Sequence, residues 1–383
     1  MKRIVIKNVQ PCYFIENENV KLYTTVQAGC TMPYFNLEGE EICPYYLPLW
    51  WNETPFDEGN SLLYAARGNF FCMPMGGDPT GYNTDGEPAP IHGNCANEPW
   101  LFSGIKQSDD TTTLEIQFDE KNGKGEILKR ISLVNGENVV YEDNIVTGYS
   151  GKYPVAYHPM IALCDTQGAS QISMSKPLIG YTTNEPFSTP AELTYTLFAP
   201  QVVSDMTKVK TLYGDYEDLT HQPIRKGYEE VVMFISDASL RFSYLTVTNP
   251  EKDYVYFQIK NPRTFQSTML WISNGGRHME PWNGRTFGCM GAEDMTSYFF
   301  SGSEESAKEN MVNREGYKTF LEFAPDNKYS FRIITGVAKT PKGFTGVKDV
   351  TESEKGIIIE GENGEIIDVP MNLSFIDADY RIG

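Results

Sequence analysis

Four histidines stand in a chain of 383 residues, each in a different setting: His92 in "PIHGNCANEPW", His158 in "KYPVAYHPMIAL", His221 in "YEDLTHQPIRK" and His278 in "GGRHMEP". Imidazole is the side chain that ordinarily titrates nearest neutral pH, so these positions are the first candidates for proton transfer or metal ligation. Spacing disfavours a metal, because no His-x-x-x-His pair and no histidine–cysteine cluster occurs. A Gly-x-Ser-x-Gly elbow, the mark of one large class of serine nucleophiles, is also missing. Among the acids, Glu293 and Asp294 in "FGCMGAEDMTSYFF" stand apart, since they interrupt a run of apolar and small residues. A carboxyl group buried in such a run needs a partner or a task.

Each candidate also has an inert reading. His158, ahead of Pro159, fits a hydrogen-bonded histidine at a strand end. Glu293 could pair with Arg277 or Arg285, His92 could tie down its own loop, and Arg67 in "YAARGNFFCMP" could meet a surface acid. The stretch from Pro90 to Trp100 places a histidine, two asparagines and a glutamate beside a large indole, which suits either a loop anchor or the rim of a site.

The elements that must position these residues read as strands. "KRIVIKNV", "TTLEIQF", "EILKRISLV", "EEVVMFIS", "LRFSYLTVT", "DYVYFQIK", "KYSFRIITGV" and "KGIIIEG" mostly alternate apolar with polar residues. Such runs predict antiparallel strands with one wetted face. Between them lie turn sequences such as "EKNGKGE", "VNGEN", "TNPEKD", "APDNK" and "GENGE". No Gly-rich nucleotide loop and no alternation of strands with helices is present, so the fold class is all-β. One short helix is expected near 303–312, "SEESAKENMV", with Ser303 as its cap. Residues 72–100 and 273–292 carry no strand pattern and read as long, ordered loops of the kind that hold functional residues. No linker divides the chain; residues 1–383 are expected to form a single domain, with a separate N-terminal strand layer as the alternative.

Charge narrows the partners. Against 32 basic residues stand 51 acidic ones, a formal net charge of −19, which disfavours nucleic-acid phosphates and anionic membranes. A neutral, small-molecule partner fits better. The first twenty residues build no signal-peptide core, and no segment approaches about 18 consecutive apolar residues. Seven cysteines form no Cys-x-x-Cys pair, and their odd number fits a closed disulfide framework badly. A soluble protein of a reducing, cytoplasmic compartment is the expectation.

In order along the chain, "RGNFFCMP", "IHGNCANEPW", "YHPMIAL", "LWISNGG" and "MGAED" resemble the aldose 1-epimerase, or galactose mutarotase-like, family. The family carries an arginine before a proline-containing loop, a His-Gly pair about two dozen residues later, a His-Pro at a strand end, a strand with Leu-Trp, and a late glutamate. The likeness spans residues from about 20 to about 340. It implies a large antiparallel β-sandwich, the galactose mutarotase-like supersandwich, and a chemistry of sugar ring opening without metal or organic cofactor. It also implies roles: Glu293 as the base, His158 as the acid, His92 as a second donor, and Arg67 as a holder of sugar hydroxyls. Trp100 and Trp282 become candidates for stacking under a pyranose.

Departures from that pattern leave the sugar open. A hydroxyl-selecting aspartate cannot be chosen among Asp205, Asp215, Asp218 and Asp237. Asp78, Tyr82 and Asn83 could narrow the groove, and Asp294 stands where the family often has proline. Because neighbours on a strand face opposite ways, Asp294 is expected to point away from Glu293's side. Arg277 and Arg285 flank "HMEPWNG" and raise the alternative of a hexose-6-phosphate mutarotase, since two guanidiniums can grip a phosphate. A non-catalytic carbohydrate-binding protein is the other alternative. Oligomeric state is not legible.

Overall fold

Strands form where alternating runs meet turn residues. Glu126–Val134 pairs with Thr111–Asp119 on one side and Val139–Thr147 on the other, with "EKNGKGE" and "VNGEN" making the reversals. The computed structural model describes residues 4–53, 61–77 and 90–382, so Asp78, Tyr82 and Asn83 lie outside the described residues. Strands dominate, all paired antiparallel in the named ladders.

Two large sheets stack face to face. The first has nine strands and carries Tyr254–Lys260, Lys328–Lys339, Val139–Thr147 and Glu126–Val134 side by side at its centre. The second has eight, among them β1 (Phe71–Cys72), β2 (Val155–Tyr157), β3 (Tyr228–Ile235), β4 (Ser267–Asn274) and β5 (Cys289–Thr296). Spatially these run β3, β4, β5, β2, β1, and Met160–Ala162 also pairs with β5. Leu270, Ile272, Met290 and Ala292 of the second sheet join Leu114, Ile131, Val247 and Tyr256 of the first in one buried cluster. The fold is thus an all-β antiparallel sandwich.

Both outer faces are covered as well. On the second sheet, Val231, Met233, Met269 and Met295 pack with Leu62, Phe70 and Met75. A C-terminal three-stranded sheet, Val347–Ser353, Gly356–Gly361 and Ile366–Pro370, covers Val255, Phe257, Ile259 and Ile334 of the first sheet. This layering corrects the expectation of one wetted face: "EEVVMFIS" and "DYVYFQIK" are buried almost throughout, because each lies between two layers. Ile4–Ile42 form a separate five-stranded meander.

Two further expectations change. Residues 273–292 are not all loop, since the ends of β4 and β5 occupy its flanks and leave 275–288 as the connection. Helix α2 is a short one, Gly302–Ala307, with Ser303 inside it rather than at its cap; α1 is Ser61–Ala65. All seven cysteines are free thiols, and among the described residues no helix is long and apolar enough to cross a membrane.

Candidate active site

β5 places two acids on opposite faces of one sheet. The pleat sends Ala292 and Asp294 inward, between the sheets, and turns Glu293 outward with Gly291 and Met295. Asp294 Oδ1 lies 2.9 Å from Lys260 Nζ and accepts from Thr268 Oγ1 at 2.7 Å, while its Oδ2 accepts from Gln258 Nε2 at 2.6 Å. Lys260 Nζ also donates to the Ser267 carbonyl at 2.6 Å. Asp294 therefore points away from Glu293, as strand alternation predicts.

Glu293 faces His158. Its Oε1 is 3.2 Å from His158 Nε2, and both side chains line a hollow of about 470 Å³ on the outer face of the second sheet. His158 follows directly on β2, the neighbour of β5, and its amide N–H donates to the Phe70 carbonyl at 2.9 Å. Phe70 stacks on the imidazole with ring centroids 4.6 Å apart. Room for the carboxyl group comes from Gly291: a Cβ there would sit 2.7 Å from Glu293 Oε1. The inert pairing of Glu293 with an arginine does not occur among the described residues.

Burial sets the protonation. It pushes the Glu293 carboxyl well above the usual 4.5 and holds His158 well below 6.5, with His92 alongside adding to the second effect. Charges are costly here, so the resting pair carries one proton between two formally neutral groups. Two buried atoms of the pair, His158 Nδ1 and Glu293 Oε2, have no hydrogen-bond partner.

His92 completes the cluster, its ring centroid 5.1 Å from that of His158. It sits at φ 63°, followed by Gly93 at φ 79°, where any Cβ would collide with the Met73 carbonyl. His92 Nδ1 accepts from the Gly76 amide at 3.1 Å, so the neutral ring carries its proton on Nε2. Burial lowers its pKa to about 4, keeping it neutral in ordinary buffers. The amides of "PIHGNCANEPW" build its loop: Asn97 Nδ2 donates to the carbonyls of Ile91 and Gly93, each at 2.8 Å, and its Oδ1 accepts from the Leu62 amide at 3.1 Å.

Arg67 and Trp100 are not in the hollow. The Arg67 guanidinium is buried and donates to the carbonyls of Ala65, Asn8 and Tyr64, which leaves it a structural tie rather than a holder of hydroxyls. Trp100 is fully buried in the inter-sheet core, its indole N–H donating to the Cys95 carbonyl at 2.8 Å; it anchors the loop. Trp282 does line the hollow, edge-on to Trp50 at 5.3 Å. Arg277 lies over Trp282 at 4.6 Å and reaches Glu229 at 3.2 Å, while Glu229 also accepts from Trp271 Nε1 and Ser273 Oγ, each at 2.7 Å. Arg277, on the 275–288 connection, lines the hollow, whereas Arg67 does not.

Arg285 is held by both oxygens of Glu53, each at 2.7 Å. With Arg277 already facing Glu229, the pair of free guanidiniums that a phosphate would need is not formed. Asp205, Asp215, Asp218 and Asp237 are none of them part of the hollow's lining; they pair with Thr207, Arg225, His221 and Ser239 respectively. His278 packs against Tyr195, 5.2 Å between ring centroids. Trp50, Phe70 and Trp271 line the hollow although sequence reasoning gave them no role; only the "LW" of "LWISNGG" hinted at the last.

No protein-family profile and no curated protein matches this chain. Solved structures do. A galactose mutarotase-like protein from Clostridium acetobutylicum aligns with TM-score 0.57 at 10% identity, covering 89% of this chain and 99% of that one. A candidate aldose 1-epimerase from Escherichia coli K12 gives 0.56 at 13% identity, over 86% and 99%. A galactose mutarotase related enzyme from Lactobacillus acidophilus gives 0.53 at 11%, over 86% and 98%. At such identities the likeness establishes architecture: this chain has the galactose mutarotase-like β-sandwich fold.

Proposed function

We propose that the protein interconverts the α and β anomers of a sugar by acid/base ring opening, with Glu293 and His158 as its catalytic pair. The observation that carries the reading is their contact, 3.2 Å between Glu293 Oε1 and His158 Nε2 on the wall of a hollow of about 470 Å³. The anomeric and ring oxygens hang on the same carbon, so the groups serving them must themselves be neighbours. A cycle needs one proton in the pair. With it on His158, the carboxylate takes the anomeric hydroxyl proton while the imidazolium protonates the ring oxygen. The bond between the anomeric carbon and ring oxygen breaks, leaving an open-chain aldehyde. Rotation about the adjoining carbon–carbon bond exposes the other carbonyl face, and closure returns each proton to its source. At rest the proton is on Glu293, and its passage to His158 across their contact sets up the cycle without changing the pair's total protonation.

His92 Nε2–H serves as a further donor, and Arg277 presents its remaining N–H groups to hydroxyls. The full chain would act as one domain on a small-molecule sugar, and the uncharged resting pair requires no metal.

Exchange NMR or optical rotation of freshly dissolved α-sugars tests the reading. Wild type accelerates equilibration; Glu293→Gln and His158→Asn each lose roughly 10²- to 10⁴-fold with fold intact. Sugar binding without acceleration by wild type points to a carbohydrate-binding protein instead.

A further inference from the structure

The lining of the hollow is unevenly divided. Polar side chains gather around the catalytic pair and on the 275–288 connection, as His92, Arg277, Glu280 and Thr286. The remainder, among the described residues, includes Leu62, Met75, Ile91, Phe187 and Phe300, with Phe187 and Phe300 edge to face at 5.4 Å. None of these five side chains carries an N–H or O–H donor, and the Met75 thioether is their one weak acceptor. They arrive from separate places: α1, the segment after β1, the His92 loop, the 183–189 connection and the turn before α2. Convergence of five apolar side chains from five segments is a built surface rather than an accident of one strand.

A free hexose fits such a hollow poorly. It carries hydroxyls around its whole perimeter, and each one pressed unpartnered against an apolar wall costs roughly ten- to a hundredfold in affinity. Part of the nearby polarity is already committed: Trp271 Nε1 and one Arg277 nitrogen meet Glu229, and His92 Nδ1 takes the Gly76 amide. A ligand with one polar edge and one apolar edge would match both halves.

We infer that the hollow selects a reducing sugar carrying an apolar substituent, its hemiacetal against Glu293 and His158 and its substituent against the Leu62–Phe300 wall. This rests on the mutarotase reading for the hemiacetal, while the wall's preference stands on the lining itself. Each methylene buried there is worth about fourfold in affinity, which adds to the cost avoided by removing hydroxyls.

The test compares D-glucose with 4,6-O-benzylidene-D-glucose, a reducing sugar in which a phenyl acetal caps two hydroxyls. Acceleration is read by exchange NMR, and binding by calorimetry on the unreactive 1-deoxy analogue of each. The capped sugar is expected to show about 10²-fold higher kcat/KM, and its analogue about 10²-fold tighter binding. Equal binding of the two analogues, or tighter binding of the uncapped one, overturns the inference whatever the turnover. Tighter binding of the capped analogue with no sugar accelerated supports the wall and overturns the mutarotase reading, so the two fail separately.

Discussion

Two buried ionisable pairs lie back to back across β5 and differ in how completely they are satisfied. Behind the sheet, Lys260 and Asp294 are met by Thr268, Gln258 and a backbone carbonyl. In front, Glu293 has His158, and each keeps one nitrogen or oxygen without a partner. A closed network holds structure. An open one keeps bonding capacity for something that arrives, and the protein bears the cost of burying polar atoms to keep it.

That contrast can be broken by exchanging the costs. Glu293→Gln should lower anomerisation by roughly 10²- to 10⁴-fold and leave the unfolding midpoint in denaturant unchanged or raised. A similar loss of stability from this variant and from the rear pair would erase the distinction. Lys260→Met should do the reverse, costing about 3–5 kcal/mol by stranding the Asp294 carboxylate, while Lys260→Met with Asp294→Leu recovers most of it. Urea titration of the three proteins reads this directly.

Titration sharpens the comparison further. Glu293 is raised in the folded chain, so its stabilising contribution is complete below 4.5 and is lost as pH climbs from there toward the folded value. His158 is lowered, so its contribution is complete above 6.5 and is lost as pH falls from there toward the folded value. With Glu293 raised and His158 lowered, the folded pair holds one proton across and beyond the window from 4.5 to 6.5 in which the unfolded pair also holds one. Relative to the Glu293→Gln/His158→Asn double variant, wild type should therefore be most stable in that window. Outside it the difference should fall on either side, with a limiting slope of about 1.4 kcal/mol per pH unit. A flat difference from pH 4 to 8 contradicts the shared proton.

The smallest effect is expected at Gly291. Alanine there meets Glu293 Oε1 at 2.7 Å and Trp271 Cβ at 3.2 Å, so the carboxyl group must shift. A drop in kcat of roughly tenfold is expected with KM little changed, since misplacement acts on geometry rather than on binding. Unchanged kcat would mean the acid tolerates displacement.

Much of the fold is legible in the sequence, because hairpin turns and alternating runs are local signals; "EILKRISLV" and "TTLEIQF" lie within the strands their pattern predicts. β5 is not legible. "CMGAEDMT" is buried on both faces and shows no alternation, and small residues disguise it as loop. Of the candidate site, the ordered motifs point to His158 and Glu293, which share one hollow. Chain order could not tell Arg67 from Arg277, since which guanidinium reaches the hollow depends on whether backbone carbonyls have already claimed it.

The alternating pleat of β5 also makes the acid that meets His158 a matter of register. Shortening the 275–288 connection by a single residue, with the ladder to β4 re-formed one step along, would present the shorter Asp294 carboxyl to His158, turn Glu293 inward into the place of Ala292 and leave Met295 beside Lys260. Length conservation in that connection is thus a requirement of chemistry, and insertions or deletions there should be far less tolerated than in the exposed hairpins.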